Sequence, residues 1–199
     1  MKSDFSISLL GKKECATILN KFHYLKDISK GFKSGVNFGL WNDNSELVGV
    51  CIFTGFPVPE LVKGMFGLDR HNQNGFFELS RLCLRPDVQG SEHNIASWFV
   101  SRTIKHLKKY NQPRAILSYA DNDHHEGTVY RACNFDYYGL TTPKKDFWIL
   151  QGDGSYIKHS RGKTKGVAGE WRPRSRKHRF VMTFDKSLNM LWQKSITQK

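Results

Sequence analysis

The stretch between residues 76 and 120 constrains the fold of this chain most, because four segments of different period follow one another there. Residues 76–84 (Phe-Phe-Glu-Leu-Ser-Arg-Leu-Cys-Leu) have strand character. Residues 86–94 form a polar, glycine-containing turn. Residues 94–110 then set Ala96, Phe99, Val100, Thr103 and Leu107 on one helical stripe, and residues 115–120 (Ala-Ile-Leu-Ser-Tyr-Ala) read as a buried strand. Strand, turn, helix and strand in this order predict an α/β domain, a mixed central sheet flanked by helices.

The flanking sequence extends the same alternation. Cys15, Ile18, Leu19 and Phe22 recur at helical spacing over residues 12–22, which leaves His23 at a helix exit. Residues 36–41 and 47–54 are strand-like runs around the turn former Asn42-Asp43-Asn44-Ser45, which predicts a β-hairpin. A loop over 121–127, a short helix over 128–133, a strand at 137–140 and a last strand at 178–184 follow. At 199 residues one core suffices: residues 1–185 are read as a single domain and 186–199 as a polar tail expected to fray.

Composition narrows the class of function. No apolar run approaches the roughly 20 residues that cross a bilayer, so no membrane partner is expected. The start Met1-Lys2-Ser3-Asp4-Phe5 lacks the features of a secretory signal, which predicts a cytoplasmic protein. Cys15, Cys51, Cys83 and Cys133 lie far apart among apolar neighbours, the pattern of buried thiols rather than of a zinc site or a disulfide scaffold. Lys and Arg number 31 against 18 Asp and Glu, a net +13 that draws the chain to polyanions, nucleic acid first.

The charge is concentrated late in the chain. Residues 158–179 hold nine Lys or Arg and one acid, Glu170, with three glycines and Trp171, and read as a basic, loop-rich insertion. Lys163, Lys165, Arg172, Arg174, Arg176 and Lys177 are candidate phosphate contacts, and Trp171 a candidate stacking partner for a base. A solvated loop is the simpler account of the same residues. Upstream, Gln89-Gly90-Ser91-Glu92-His93-Asn94-Ile95-Ala96-Ser97 lies where a strand turns into a helix N-terminus. The free N–H groups there and the positive dipole end bind phosphate.

Five blocks taken in order carry a resemblance. They are Phe77-Glu78-Leu79-Ser80-Arg81-Leu82, Asn94-Ile95-Ala96-Ser97, Ser118-Tyr119-Ala120-Asp121, the run Gly127-Thr128-Val129-Tyr130-Arg131-Ala132-Cys133-Asn134-Phe135, and Tyr138-Gly139. Bounded by Phe22-His23-Tyr24-Leu25 and Lys177-His178-Arg179-Phe180, they resemble the Mom family of phage DNA-modification proteins over most of the chain. Residues 122–126, Asn-Asp-His-His-Glu, replace the proline-bearing loop usual in that family. The resemblance implies a GNAT-type acyltransferase fold and acetyl-CoA as the acyl donor. It also implies modification of adenine N6 in phage DNA in the host cytoplasm, which protects that DNA from restriction. In a GNAT-type fold Asn94, Ala96 and Ser97 would meet the CoA pyrophosphate.

The implied chemistry assigns roles to further residues. Adenine N6 is conjugated with its ring and nucleophilically poor, so acylation needs a base and stabilisation of the acyl oxygen. Asp121, at the C-terminal end of a strand, is the first candidate, its alternative being a cap for the following helix. His23 titrates near neutrality when unperturbed and is a second base candidate or a metal ligand. Tyr130 is placed to protonate the departing CoA thiolate, with Tyr119 a less defined candidate. Simple alternation puts Glu78 and Ser80 on one face of their strand and Arg81 on the other, so that the three do not share one centre. Ser80 and Arg81 are nonetheless carried as cofactor-site candidates. The methylcarbamoyl-type product of the family contains a nitrogen that acetyl transfer does not deliver, and iron held by His23 and Asp121 is one expectation raised to account for it. An acetyltransferase of proteins or small amines, and a non-catalytic DNA-binding protein, are the competing readings.

Overall fold

The computed structural model describes residues 4–24, 31–159 and 162–195. Twelve elements build the main body in chain order: β1 (Ser6–Leu9), α1 (Lys12–Phe22), β2 (Val36–Trp41), β3 (Leu47–Gly55), α2 (Glu60–Phe66), β4 (Phe76–Leu84), α3 (Pro86–Ser91), α4 (Ile95–Asn111), β5 (Ala115–Asp121), α5 (Thr128–Ala132), β6 (Asp136–Leu140) and, after an insertion, β10 (Lys177–Thr183). Their seven strands form one mixed sheet in the order β1-β2-β3-β4-β5-β10-β6, and among them only β4 and β5 run parallel. The fold is the mixed α/β arrangement that the sequence predicts.

The unbroken apolar run of β3 has a simple cause, since this central strand is covered on both sides. Val50 and Ile52 pack with Cys15, Ile18 and Leu19 of α1, whereas Cys51 and Phe53 pack with Phe99, Val100 and Leu107 of α4. Each such side chain contributes about 1.5–3 kcal/mol relative to exposure. A third cluster joins Val62, Met65 and Phe66 of α2 to Phe76, Leu117 and Val181. All four cysteines are buried free thiols. Among the described residues no helix is long and apolar enough to cross a membrane.

Three segments differ from their sequence reading. Residues 86–91 are helical: Pro86 occupies the first turn, where its missing N–H costs nothing, and Val88 anchors the helix in the core. The basic insertion holds two strands in place of a continuous loop. β7 (Lys144–Leu150) is the centre of a separate antiparallel sheet, with β8 (Tyr156–Lys158) on one side and β9 (Gly169–Arg174) on the other. The C-terminal tail is docked rather than frayed as far as Ser195. Leu188, Met190 and Trp192 cover the third cluster, Leu191 N–H donates to the Met65 carbonyl at 2.8 Å, and Ser195 N–H donates to that of Tyr137 at 2.9 Å. Apolar residues at alternate positions in a mostly polar segment give this docking too weak a sequence signal.

Gly127 opens α5 with φ +74°, and a Cβ there would stand 2.3 Å from the Phe180 ring. Only glycine lets this turn lie against β10. Gly127→Ala therefore combines backbone strain with overpacking and should lose about 2 kcal/mol or more of stability, read as a lowered midpoint in urea unfolding.

Candidate active site

The site originates in a mismatch between two strands. β4 and β5 pair from Phe76↔Ala115 to Leu79↔Ser118 and then part, and at the point of parting the buried Ser118 hydroxyl donates to the Leu79 carbonyl at 3.0 Å. Beyond it β5 stays with β10, as Arg179↔Tyr119 and Lys177↔Asp121 show, while β4 stays with β3. The gap is a cleft of about 490 Å³.

A β-bulge shapes its wall. Pairing between β3 and β4 jumps from Ile52↔Arg81 to Phe53↔Leu79, which leaves Ser80 as an extra residue whose hydroxyl donates to the Ile52 carbonyl at 3.2 Å. An extra residue resets the alternation of a strand. Glu78, Ser80 and Arg81 therefore all line the one cleft, against the expectation from simple alternation. Arg81 donates from one terminal nitrogen to the Ser80 carbonyl at 2.6 Å, and its buried Nε meets no acceptor among the described residues. An unmatched buried donor costs about 1–3 kcal/mol, which a ligand oxygen would relieve.

The opposite wall comes from the exit of α1 and the loop after β5. His23 N–H closes α1 on the Leu19 carbonyl at 3.1 Å. The His23 ring stacks on Tyr24 at 4.6 Å, and Tyr24 also meets the rings of His124 at 4.6 Å and His125 at 5.3 Å. Two distant segments thus close over the cleft through four rings. Burial, then the positive Arg81 and His125, lower the His23 imidazole to about 4, so it is neutral at neutral pH. Burial raises the Glu78 carboxyl above the usual range in spite of Arg81, Lys177 and Lys33. Tyr130 and Tyr119 are each pushed up to about 12, mainly by burial, so both phenols keep their protons.

His23, Ser80, Arg81, Ala96, Tyr119 and Tyr130 all line the cleft. So does Lys177, which the sequence had grouped with the DNA contacts. Ala96 brings the N-terminal end of α4, whose first-turn N–H groups have no partner within the helix, to the cleft floor. Asn94 and Ser97 lie just outside: Asn94 takes the left-handed conformation at φ 58°, and the Ser97 hydroxyl donates to its carbonyl at 3.1 Å. Asp121 is not among the residues that line the cleft. Its carboxylate accepts hydrogen bonds from the Ser175 hydroxyl and from Asp123 N–H; although burial raises it, these donors, with Lys177 and His124, hold it below the usual range. Glu78, Tyr24 and His125 were missed as site residues. The bulge has no sequence signature, and Tyr24 and His125 acquire meaning only from their contact.

Among the described residues no group of three or more His, Cys, Asp or Glu side chains is placed to hold a metal ion. His23 and Asp121, the pair expected to ligate iron, do not belong to such a group, so the residues present do not fit that expectation.

Solved acetyltransferases share the fold as a whole. Similar structures include a Bacillus subtilis acetyltransferase in complex with CoA (15% identity, 90% of this chain and 99% of that chain, TM-score 0.53). A GNAT family acetyltransferase from Elizabethkingia anophelis with acetyl-CoA bound aligns at 12% identity, 92% and 100% coverage and TM-score 0.53. The Escherichia coli ribosomal-protein-S18-alanine N-acetyltransferase aligns at 12%, 93% and 99%, with TM-score 0.53. The fold is therefore that of the GNAT acetyltransferases. Within that class, residues 4–198 match the Mom protein family, and the chain belongs to it. No curated protein matches.

The lowered His23 value has a measurable consequence. The unfolded chain takes up a proton near pH 6.5 and the folded chain resists it until about 4, so folded stability falls as the pH drops through that window. Imidazole titration followed by NMR should place His23 near 4, and Arg81→Ala, which removes a repelling charge, should raise it.

Proposed function

We propose that this protein transfers an acyl group from acyl-CoA to the exocyclic N6 of adenine in DNA. The observation that carries the reading is the cleft itself. A half-buried carboxyl, Glu78, and a protonated phenol, Tyr130, line one cavity that reaches the N-terminus of α4, in a chain of net charge +13.

The roles follow from the chemistry each group can perform. CoA pyrophosphate is drawn to the free N–H groups at the start of α4, around Ala96 and Ser97, so that the thioester reaches the gap between β4 and β5. The N6 nitrogen attacks the thioester carbonyl, forming the N–C bond as the C–S bond breaks. Glu78 takes the N6 proton, for which its raised value suits it, and Tyr130 returns a proton to the thiolate. Charge developing on the acyl oxygen meets Arg81 and the backbone N–H groups that β4 no longer offers to β5. Neutral His23 serves as an acceptor that orients the base, and Tyr119 and Tyr24 pack on either side. The products are acylated adenine and free CoA. Conversion to a methylcarbamoyl-type group requires a further nitrogen donor.

Adenine inside a duplex is out of reach, so the base is flipped out or taken from single-stranded DNA. Mass spectrometry of nucleosides from plasmid DNA in cells expressing the protein tests the proposal. A new adenosine species should appear with the wild type and fall at least 100-fold with Tyr130→Phe and with Glu78→Gln. Asp121→Asn, which keeps an oxygen to accept both hydrogen bonds, should retain more modification than Asp121→Ala. Unmodified adenosine with the wild type, together with turnover of acetyl-CoA on polyamines or peptides, would move the acceptor to another amine.

A further inference from the structure

The insertion between β6 and β10 folds as the separate β8-β7-β9 sheet, and its two faces are chemically unlike. Residues 141–177 hold ten Lys or Arg against three acids, so they carry a net seven of the chain's thirteen positive charges. Strand alternation distributes them unequally.

The face bearing Trp148 carries both acids of the three strands, and each is paired with cations of the same face. Asp146 binds Arg174 through a forked contact and Lys158 at 2.5 Å, and these cations hold its carboxyl at about 2. Arg172 pairs with Glu170 at 2.5 Å and lies over the rings of Trp148 at 5.0 Å and Tyr156 at 4.2 Å. Arg172 and Arg174, grouped by sequence with the DNA contacts, thus each hold an acid of this face.

The other face is built differently. Trp171 sits opposite Phe147, its ring 5.3 Å away, and is 56% exposed; Ile157, on the same face but across β7, is 57% exposed. Lys145 lies on this face next to Phe147, and Lys163 and Lys165 follow in the exposed connection from β8 to β9. None of these three lysines has a carboxylate partner among the described residues. An exposed indole with an unpaired lysine on its face and two more in the adjoining connection matches the surface of a nucleic acid, where bases stack on rings and phosphates meet lysines.

The sheet is also fastened to the cleft mouth. Ser175, just after β9, donates to the Asp121 carboxylate; Arg176 Nε donates to the Thr141 carbonyl at 2.7 Å, and Asn122 N–H to that of Arg176 at 3.0 Å. Lys177 follows directly and lines the cleft.

We infer that the Trp171 face of the small sheet is the DNA-docking surface, with the indole stacked on a base near the modified adenine and Lys145, Lys163 and Lys165 on the flanking phosphates. The inference rests on the proposed DNA reaction and assigns its binding surface. It separates two neighbouring lysines of equal charge that point to opposite faces, Lys145 and Lys144.

The test measures the affinity of the full chain for a fluorescent DNA duplex carrying a mismatched adenine, at fixed salt. Trp171→Ala should weaken binding about tenfold and Trp171→Phe should restore most of it. Lys145→Gln should weaken binding and flatten its salt dependence, and Lys144→Gln should do neither. Circular dichroism and acetyl-CoA binding, both unchanged, show that the variants are folded. Equal losses from Lys144→Gln and Lys145→Gln, or full affinity in Trp171→Ala, would overturn the inference while plasmid modification by the wild type stands. A wild type that neither binds nor modifies DNA would overturn both.

Discussion

Everything in this site depends on β4 leaving β5. Two parallel strands gain hydrogen bonds for as long as they stay paired, so a parting inside a sheet needs its lost bonds replaced. Here the replacement is local. Ser118 secures the last shared position, Ser80 ties the bulged strand to β3, and β10 holds the other edge of β5 along its whole length. Beyond that position β4 turns its open edge to the cleft.

The same geometry explains the electrostatics. The bulge carries Glu78 and Arg81 into one cavity, and Lys177 enters from β10. Burial makes Glu78 harder to ionise than an ordinary carboxyl, and Arg81 together with burial keeps His23 neutral. A base that is easily re-protonated, and an imidazole that stays uncharged beside a guanidinium, result from where the strands send their side chains. Neither requires unusual residue types.

How much of this the sequence made legible varies with the range of the cause. The strand, helix and strand between residues 76 and 120 were readable because apolar periodicity is local, and β3 was readable because burial on both faces leaves an unbroken apolar run. The bulge at Ser80 was not, since one extra residue in a register is a relation between strands far apart in the chain. The small sheet was hidden for another reason: β9 (Gly-Glu-Trp-Arg-Pro-Arg) lacks strand composition and is held by pairing to β7 and by ion pairs on one face. Candidate residues such as Tyr130 and Arg81 could be named, but Tyr24 and His125 become neighbours only through folding.

Asp121 shows how position can outrank residue type. Its place at the end of β5 suits a base, yet both its hydrogen-bond donors are protein groups, and they hold its carboxyl ionised below the usual range. A carboxylate stabilised in that way gives up basicity, because whatever favours the charged form lowers its proton affinity. Glu78, without such donors and raised by burial, has the opposite bias. The two carboxylates thus differ by environment and not by residue type: Glu78 holds a proton more readily than an ordinary carboxyl, and Asp121, kept ionised, ties the end of β5 to the residue that follows β9.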